Sequence, residues 1–204
     1  MELSNERNET RWSYVEEPAK VRAAPATSAR RIGKLRTKTY LGSPETVVVL
    51  GADGNWSRVR YSGVGSRVGW VPTRTLSKPA LVRTWLLIER GRTRVTLYER
   101  GKRVMSARVG VGARGSPTPG GSFFVREKII PASSGGIYGP VAFGLSAHSR
   151  YRTDWPGGGQ VGVHGTNQPG LIPGRISNGC VRLRNGSIRR LARRLRVGTP
   201  VTIR

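Results

Sequence analysis

Cys180, His148 and His164 are the only cysteine and histidine side chains among 204 residues, so thiol or imidazole chemistry must run through them. Two short segments hold two of the three. One reads Val161-Gly-Val-His164-Gly165-Thr166, the other Ser177-Asn178-Gly179-Cys180-Val181-Arg182. The stretch between them, Asn167 to Ile176, is rich in Pro and Gly and can double back to bring His164 beside Cys180. Thiolate, not thiol, is the nucleophile. An imidazole within hydrogen-bond reach can take the proton or hold a thiolate–imidazolium pair. Arg182 is expected to lower the thiol pKa further. If its stretch is extended, it shares a face with Cys180 and can hold a substrate carboxylate.

A Cys–His pair needs a third group to fix the imidazole tautomer. Beyond residue 80 the acidic side chains are Glu89, Glu99, Glu127 and Asp154, and none lies in either motif. The orienter is therefore read as a backbone carbonyl, with that of Gly165 the nearest. Gly179 lets the backbone turn sharply before the nucleophile. The amides of Asn178, Gly179 and Cys180 can then converge on an oxyanion. Ser177 is either a loop hydrogen-bonder or a site neighbour. His148 is read as structural or at the site rim, Gly112, Gly120 and Gly121 as turn residues, and Trp56, Trp70 and Trp85 as core or interface aromatics. A single cysteine rules out an intramolecular disulfide, and three soft ligands without finger-like spacing argue against zinc.

The elements that position these residues are mostly strands. With 28 Gly and 13 Pro, the composition favours short strands and turns over a helical bundle. Residues 1–17 read as a polar tail, and residues 18–27 as an extended lead-in. Strands follow at Ile32 to Leu35, Thr46 to Leu50, Trp56 to Tyr61 and Val68 to Pro72, enough for a small barrel over 18–79. Ser77 to Ala80 reads as a linker. A second domain over 82–204 begins with a hairpin, Trp85 to Ile88 and Arg94 to Tyr98 around Gly91, and a second turn at Glu99 to Lys102 leads into Val104 to Val111. Further strands are expected at Ser122 to Val125, Val141 to Leu145, Gln160 to Val163 and Val201 to Ile203. Ile188, Leu191, Ala192 and Leu195 share one face of the single clear helix, with Asn185 or Ser187 as its cap.

His164-Gly-Thr followed by Ser177-Asn-Gly-Cys-Val-Arg resembles the signature of bacterial L,D-transpeptidases. Gly110 to Val125, with Ser116-Pro-Thr-Pro-Gly-Gly-Ser-Phe123, is similar to another of that family's motifs. Tyr138-Gly-Pro, Phe143-Gly-Leu-Ser146 and Gly198-Thr-Pro-Val-Thr-Ile203 extend the likeness over 82–204. Gly69-Trp-Val-Pro-Thr-Arg-Thr-Leu76 resembles the closing strand of bacterial SH3-like domains. The fold implied is mainly β: a small SH3-like barrel, then the β-rich catalytic fold with one C-terminal amphipathic helix. The resemblance implies that Cys180 attacks a peptidoglycan tetrapeptide stem, releases D-alanine and leaves a thioester for a second stem's amine. His164 would activate the thiol, the Gly165 carbonyl would orient the imidazole, Gly179 would serve the oxyanion and Arg182 the substrate. No metal or organic cofactor is implied. Many family members carry His where this chain has Asn178, a residue that cannot titrate.

Lys and Arg number 36 against 11 acidic residues, a formal charge of +25. Five of the acids fall in the first 17 positions, so the remainder is more basic still. Such a body attracts polyanions, with nucleic acid, anionic wall polymers and anionic membrane as the candidate classes, and solvated surface arginine without a partner as the competing reading. No nucleic-acid motif is present, and specific nucleic-acid binding is not expected. No apolar run reaches the roughly 18 residues of a membrane span. The first 30 residues lack a secretory apolar core, which by itself reads as cytoplasmic or trimmed. The chemistry outweighs that, and an extracytoplasmic monomer at the cell wall is expected. A wall-binding protein with a vestigial site is the competing reading.

Overall fold

The computed structural model of the chain describes residues 1–151 and 158–204. Asp154 lies outside the described residues. The N-terminal part builds a seven-stranded sheet from β1 (Thr10–Tyr14), β2 (Ala19–Arg22), β3 (Arg31–Leu35), β4 (Thr46–Asp53), β5 (Trp56–Tyr61), β7 (Arg67–Pro72) and β8 (Ala80–Val82). Its order is β3-β2-β7-β5-β4-β1-β8. The two-residue β6 (Gly63–Val64) leaves this sheet and pairs with the next one. The C-terminal part contains β9 (Thr84–Glu89), β10 (Arg94–Glu99), β11 (Lys102–Arg108), β12 (Gly110–Gly112), β13 (Gly121–Ile129), β14 (Ala142–His148), β15 (Gln160–His164), β16 (Gly174–Ser177), β17 (Val181–Arg182) and β18 (Pro200–Ile203). Their order is β11-β10-β9-β18-β13-β14-β15-β17-β12-β16. The architecture is mainly β, with one helix, α1 (Asn185–Ala192), among the described residues.

Helix α1 buries the face its spacing predicts, with Ile188, Leu191 and Leu195 in the C-terminal core beside Leu86, Phe123 and Val181. Its cap differs from expectation. Arg184 occupies the N-cap position without a side-chain bond, and the Asn185 amide oxygen accepts instead from the Thr166 N–H at 2.9 Å. The turn between β10 and β11 runs through Arg100 and Gly101, both at positive φ, the conformation that matches strand twist in a tight hairpin.

The polar start of the chain is not a free tail. β1 pairs antiparallel with β4 on one side and β8 on the other. β8 starts where the linker was expected to end, and Ser77 is tied back through its N–H to the Tyr14 carbonyl. β4 explains how the two parts join. Its Val47 and Val49 fill the barrel core, while Val48 and Leu50 pack on Phe124 of β13, with Trp12 against them. A continuous apolar run is what a strand buried on both faces requires. β6 adds parallel to β14, with Gly63 beside Ala147 and Val64 beside His148. Ser62 Oγ lies 3.4 Å from His148 Nδ1, which places that histidine at the junction of the two domains.

Glu45 and Arg126 form a bidentate ion pair across this junction, with both side chains buried. Replacing Arg126 alone with Met should destabilise the fold by about 3–5 kcal/mol, because it strands the Glu45 carboxylate. The double variant Glu45→Leu/Arg126→Met should recover much of that loss. Urea denaturation of the three proteins measures both, and equal stability of the single and double variants would contradict the assignment.

Candidate active site

β15 and β17 lie side by side in parallel, with Val163 opposite Val181 and His164 opposite Arg182. That register brings the two motifs together across the 16-residue gap. Strand alternation then sorts the side chains: Val163 and Val181 enter the core, while His164, Cys180 and Arg182 line a narrow cleft of about 70 Å³. Gly162 sits between the two reactive groups. A methyl group on its Cα would lie 3.7 Å from His164 Cδ2 and 3.9 Å from Cys180 Sγ. Its N–H donates to Cys180 Sγ at 3.3 Å.

His164 Nδ1 lies 2.6 Å from the Gly165 carbonyl oxygen. A carbonyl only accepts, so Nδ1 carries the proton and Nε2 is left as the base. Gly165 is itself held. Gly139, at φ +62, approaches so closely that a methyl group there would stand 2.7 Å from Gly165 Cα. The Asn185–Thr166 hydrogen bond closes the same corner. Tyr138 packs edge-on against the imidazole, 5.1 Å between centroids.

The turn before Cys180 departs from expectation in one respect. Gly179 does adopt a left-handed φ of +114, but its N–H donates to Ser177 Oγ at 3.2 Å. That amide is committed inside the loop and is not aimed at a ligand. Ser177 Oγ in turn donates to the Cys180 carbonyl at 2.6 Å, so Ser177 locks the turn. Ser177 also accepts at its carbonyl from Ala113 N–H, which ties the turn to β12. Asn178 is exposed at the cleft, and Arg182 Nε is buried with no hydrogen-bond partner among the described residues.

Burial pulls the His164 pKa down to about 4; Arg182 adds to the fall and the Gly165 carbonyl opposes it. Burial also pushes the Cys180 thiol up, and the Gly162 N–H and Arg182 oppose this without reversing it. The expected acidification by Arg182 is therefore present but outweighed. At neutral pH the pair is therefore thiol and neutral imidazole.

A second, apolar cavity of about 350 Å³ is also lined by Cys180 and His164. Ile129, Pro131 and Phe143 line it, together with Leu41 from the N-terminal part. Tyr138 and Gln160 face both cavities. Sequence reasoning singled out neither residue as part of the site, although Tyr138 stood in a quoted motif. The signal for Gln160 was its place four residues before His164 on one strand, where alternation puts both on the same face.

A thiol and a tautomer-fixed imidazole on neighbouring strands, with an arginine beside both, can carry acyl transfer through sulfur. The family model of the L,D-transpeptidase catalytic domain matches residues 83–203, and that of the bacterial SH3 domain matches residues 17–77. The chain belongs to the L,D-transpeptidase family, with an SH3 domain preceding the catalytic one. It is similar to the YkuD proteins of Bacillus licheniformis, 34% identical over 113 residues, and Bacillus subtilis, 28% identical over 128 residues. Those alignments cover 55% and 63% of this chain, and 60% and 70% of the relatives. A solved L,D-transpeptidase from Mycobacterium smegmatis shares the fold at a TM-score of 0.50 and 14% identity, over 94% of this chain and 99% of that one.

His164 gives stability a defined acid dependence. Its folded pKa of about 4 lies below the ordinary 6.5, so its contribution is fully present above pH 6.5, declines as pH falls and is gone below about 4. The loss is at most about 3 kcal/mol. Denaturation of wild type and His164→Gln at pH 7 and pH 4 should show a smaller acid loss in the variant. Identical losses would contradict this.

Proposed function

We propose that the chain is a peptidoglycan L,D-transpeptidase working through a Cys180 thioester. The observation that carries this reading is the His164–Gly165 hydrogen bond in a cleft shared with Cys180, within a chain of that family. His164 Nε2 takes the thiol proton as Sγ attacks the L-centred carbonyl of a tetrapeptide stem. The same proton then passes to the departing D-alanine amine, leaving a thioester. An amine of a second stem resolves it, and the cross-link forms. The Cys180 and Asn178 amides are the oxyanion donors in this scheme, with Gly179 shaping the turn. Arg182, whose Nε is unpaired, holds a carboxylate of the substrate.

The reaction places the protein outside the membrane, at the wall. No helix among the described residues is long and apolar enough to cross a membrane. An open groove bordered by Arg83, Arg190, Arg193, Arg194 and Arg196 supports contact with anionic wall polymers.

Incubation with disaccharide-tetrapeptide should give D-alanine, cross-linked dimer and an acyl adduct on Cys180 by intact mass. Cys180→Ala should lose all three while keeping its fold. Binding of wild type to sacculi without any adduct would instead select the wall-binding reading, which Asn178 in place of the family's usual His motivates.

A further inference from the structure

Glu127 of β13 is a carboxylate almost without solvent exposure, at 2%. Two neutral donors hold it. Thr39 Oγ1 donates to one oxygen at 2.9 Å, and Gln160 Nε2 donates to the other at 2.9 Å. Thr39 comes from the SH3 domain, in a turn closed by its N–H to the Ser43 carbonyl and by the Gly42 N–H to its own carbonyl. The same turn carries Leu41 into the apolar cavity at Cys180. Gly144 makes room for the arrangement, since a methyl group there would stand 2.9 Å from Glu127 Cγ and Oε1.

The orientation of Gln160 follows from its partners. Its Nε2 donates to Glu127 and also to the Leu145 carbonyl at 3.2 Å. Both partners only accept, so both amide protons are spent and the flipped amide is excluded. Among the described residues no donor bonds the Gln160 carbonyl oxygen, and the side chain lines both cavities. A primary amine approaching a thioester has two protons to place. His164 Nε2 takes one. The apolar cavity, whose lining among the described residues includes no carboxylate, offers few other acceptors for the second.

We propose that Gln160, held through Glu127 by Thr39 of the SH3 domain, accepts a hydrogen bond from the acyl-acceptor amine and so orients its nitrogen on the thioester, an orientation that a tethered stem amine needs and freely tumbling water does not. This rests on the thioester reading above. In the step, the amine nitrogen forms the new amide bond, the carbon–sulfur bond breaks, and the amine proton passes through His164 to the Cys180 sulfur. Glu127 and Thr39 are positioning residues, since neither is asked to touch the substrate.

The test is to follow acylation and the partition of the thioester between water and a diamino-acid amine in wild type, Gln160→Leu and Thr39→Val. Gln160→Leu should reduce aminolysis at least tenfold more than it reduces acylation, with a raised KM for the amine. Thr39→Val, remote from the thiol, should shift the partition the same way by a few fold and carries the test if Gln160→Leu does not fold. Unchanged partition in both variants, or equal loss of both half-reactions, overturns the proposal. Failure of the wild type to acylate at all would instead sink the thioester reading beneath it.

Discussion

Hydrogen bonding between β15 and β17 sets His164 opposite Arg182 and puts Cys180 two residues before that arginine, on the same face. Parallel neighbours carry side chains of matched register on the same face. A slip of one residue would turn the histidine away from the thiol and place Val163 in the cleft. The rest of the C-terminal domain holds this register. β14 pins β15 from its other side, β12 pins the outer edge of β17 with β16 behind it, and Leu183 N–H caps the pair by donating to the His164 carbonyl. Ser177 then fixes the turn that delivers the sulfur.

Electrostatically the site is quieter than its host. The chain carries a formal +25, yet its reactive groups are neutral in the resting state because burial dominates both. A free imidazole with its Nδ1 proton tied to a carbonyl is a ready base over a broad pH range. A protonated thiol is protected from adventitious oxidation, since reactivity follows thiolate character. Arg182 works against the burial of the sulfur and also against protonation of the imidazole. Its charge favours the thiolate at the sulfur and the neutral form at the imidazole.

Much of this was legible in the chain. The helix face, the hairpins and the strands at Trp56–Tyr61 and Gln160–His164 follow from local periodicity and turn chemistry, which need no knowledge of distant partners. The Gly165 carbonyl could be named because no acid stood near either motif. What could not be read was decided by contacts across the fold. Thr10–Tyr14 carries a polar, weakly patterned sequence and becomes a strand because β4 and β8 flank it. Asn185 has the chemistry of a helix cap and is taken instead by Thr166. Gly179 has the flexibility of an oxyanion turn, but its N–H is claimed by the serine two residues before it. Glu127 looked like a residue outside the motifs because its link to the site runs through Gln160, 33 positions on.

The junction through Val48, Leu50 and Phe124 bears on modularity. Sequence families divide this chain into two pieces, near residue 80. The physical molecule has no seam there. A fragment trimmed to its matched catalytic segment would bare Phe124, leave the Arg126 guanidinium without its counter-ion and remove the β6 edge partner of β14. An SH3 domain grafted from another protein would have to reproduce those three surfaces, not merely a similar barrel. The two domains are thus coupled, since a change on one face of this junction must be met by a change on the other.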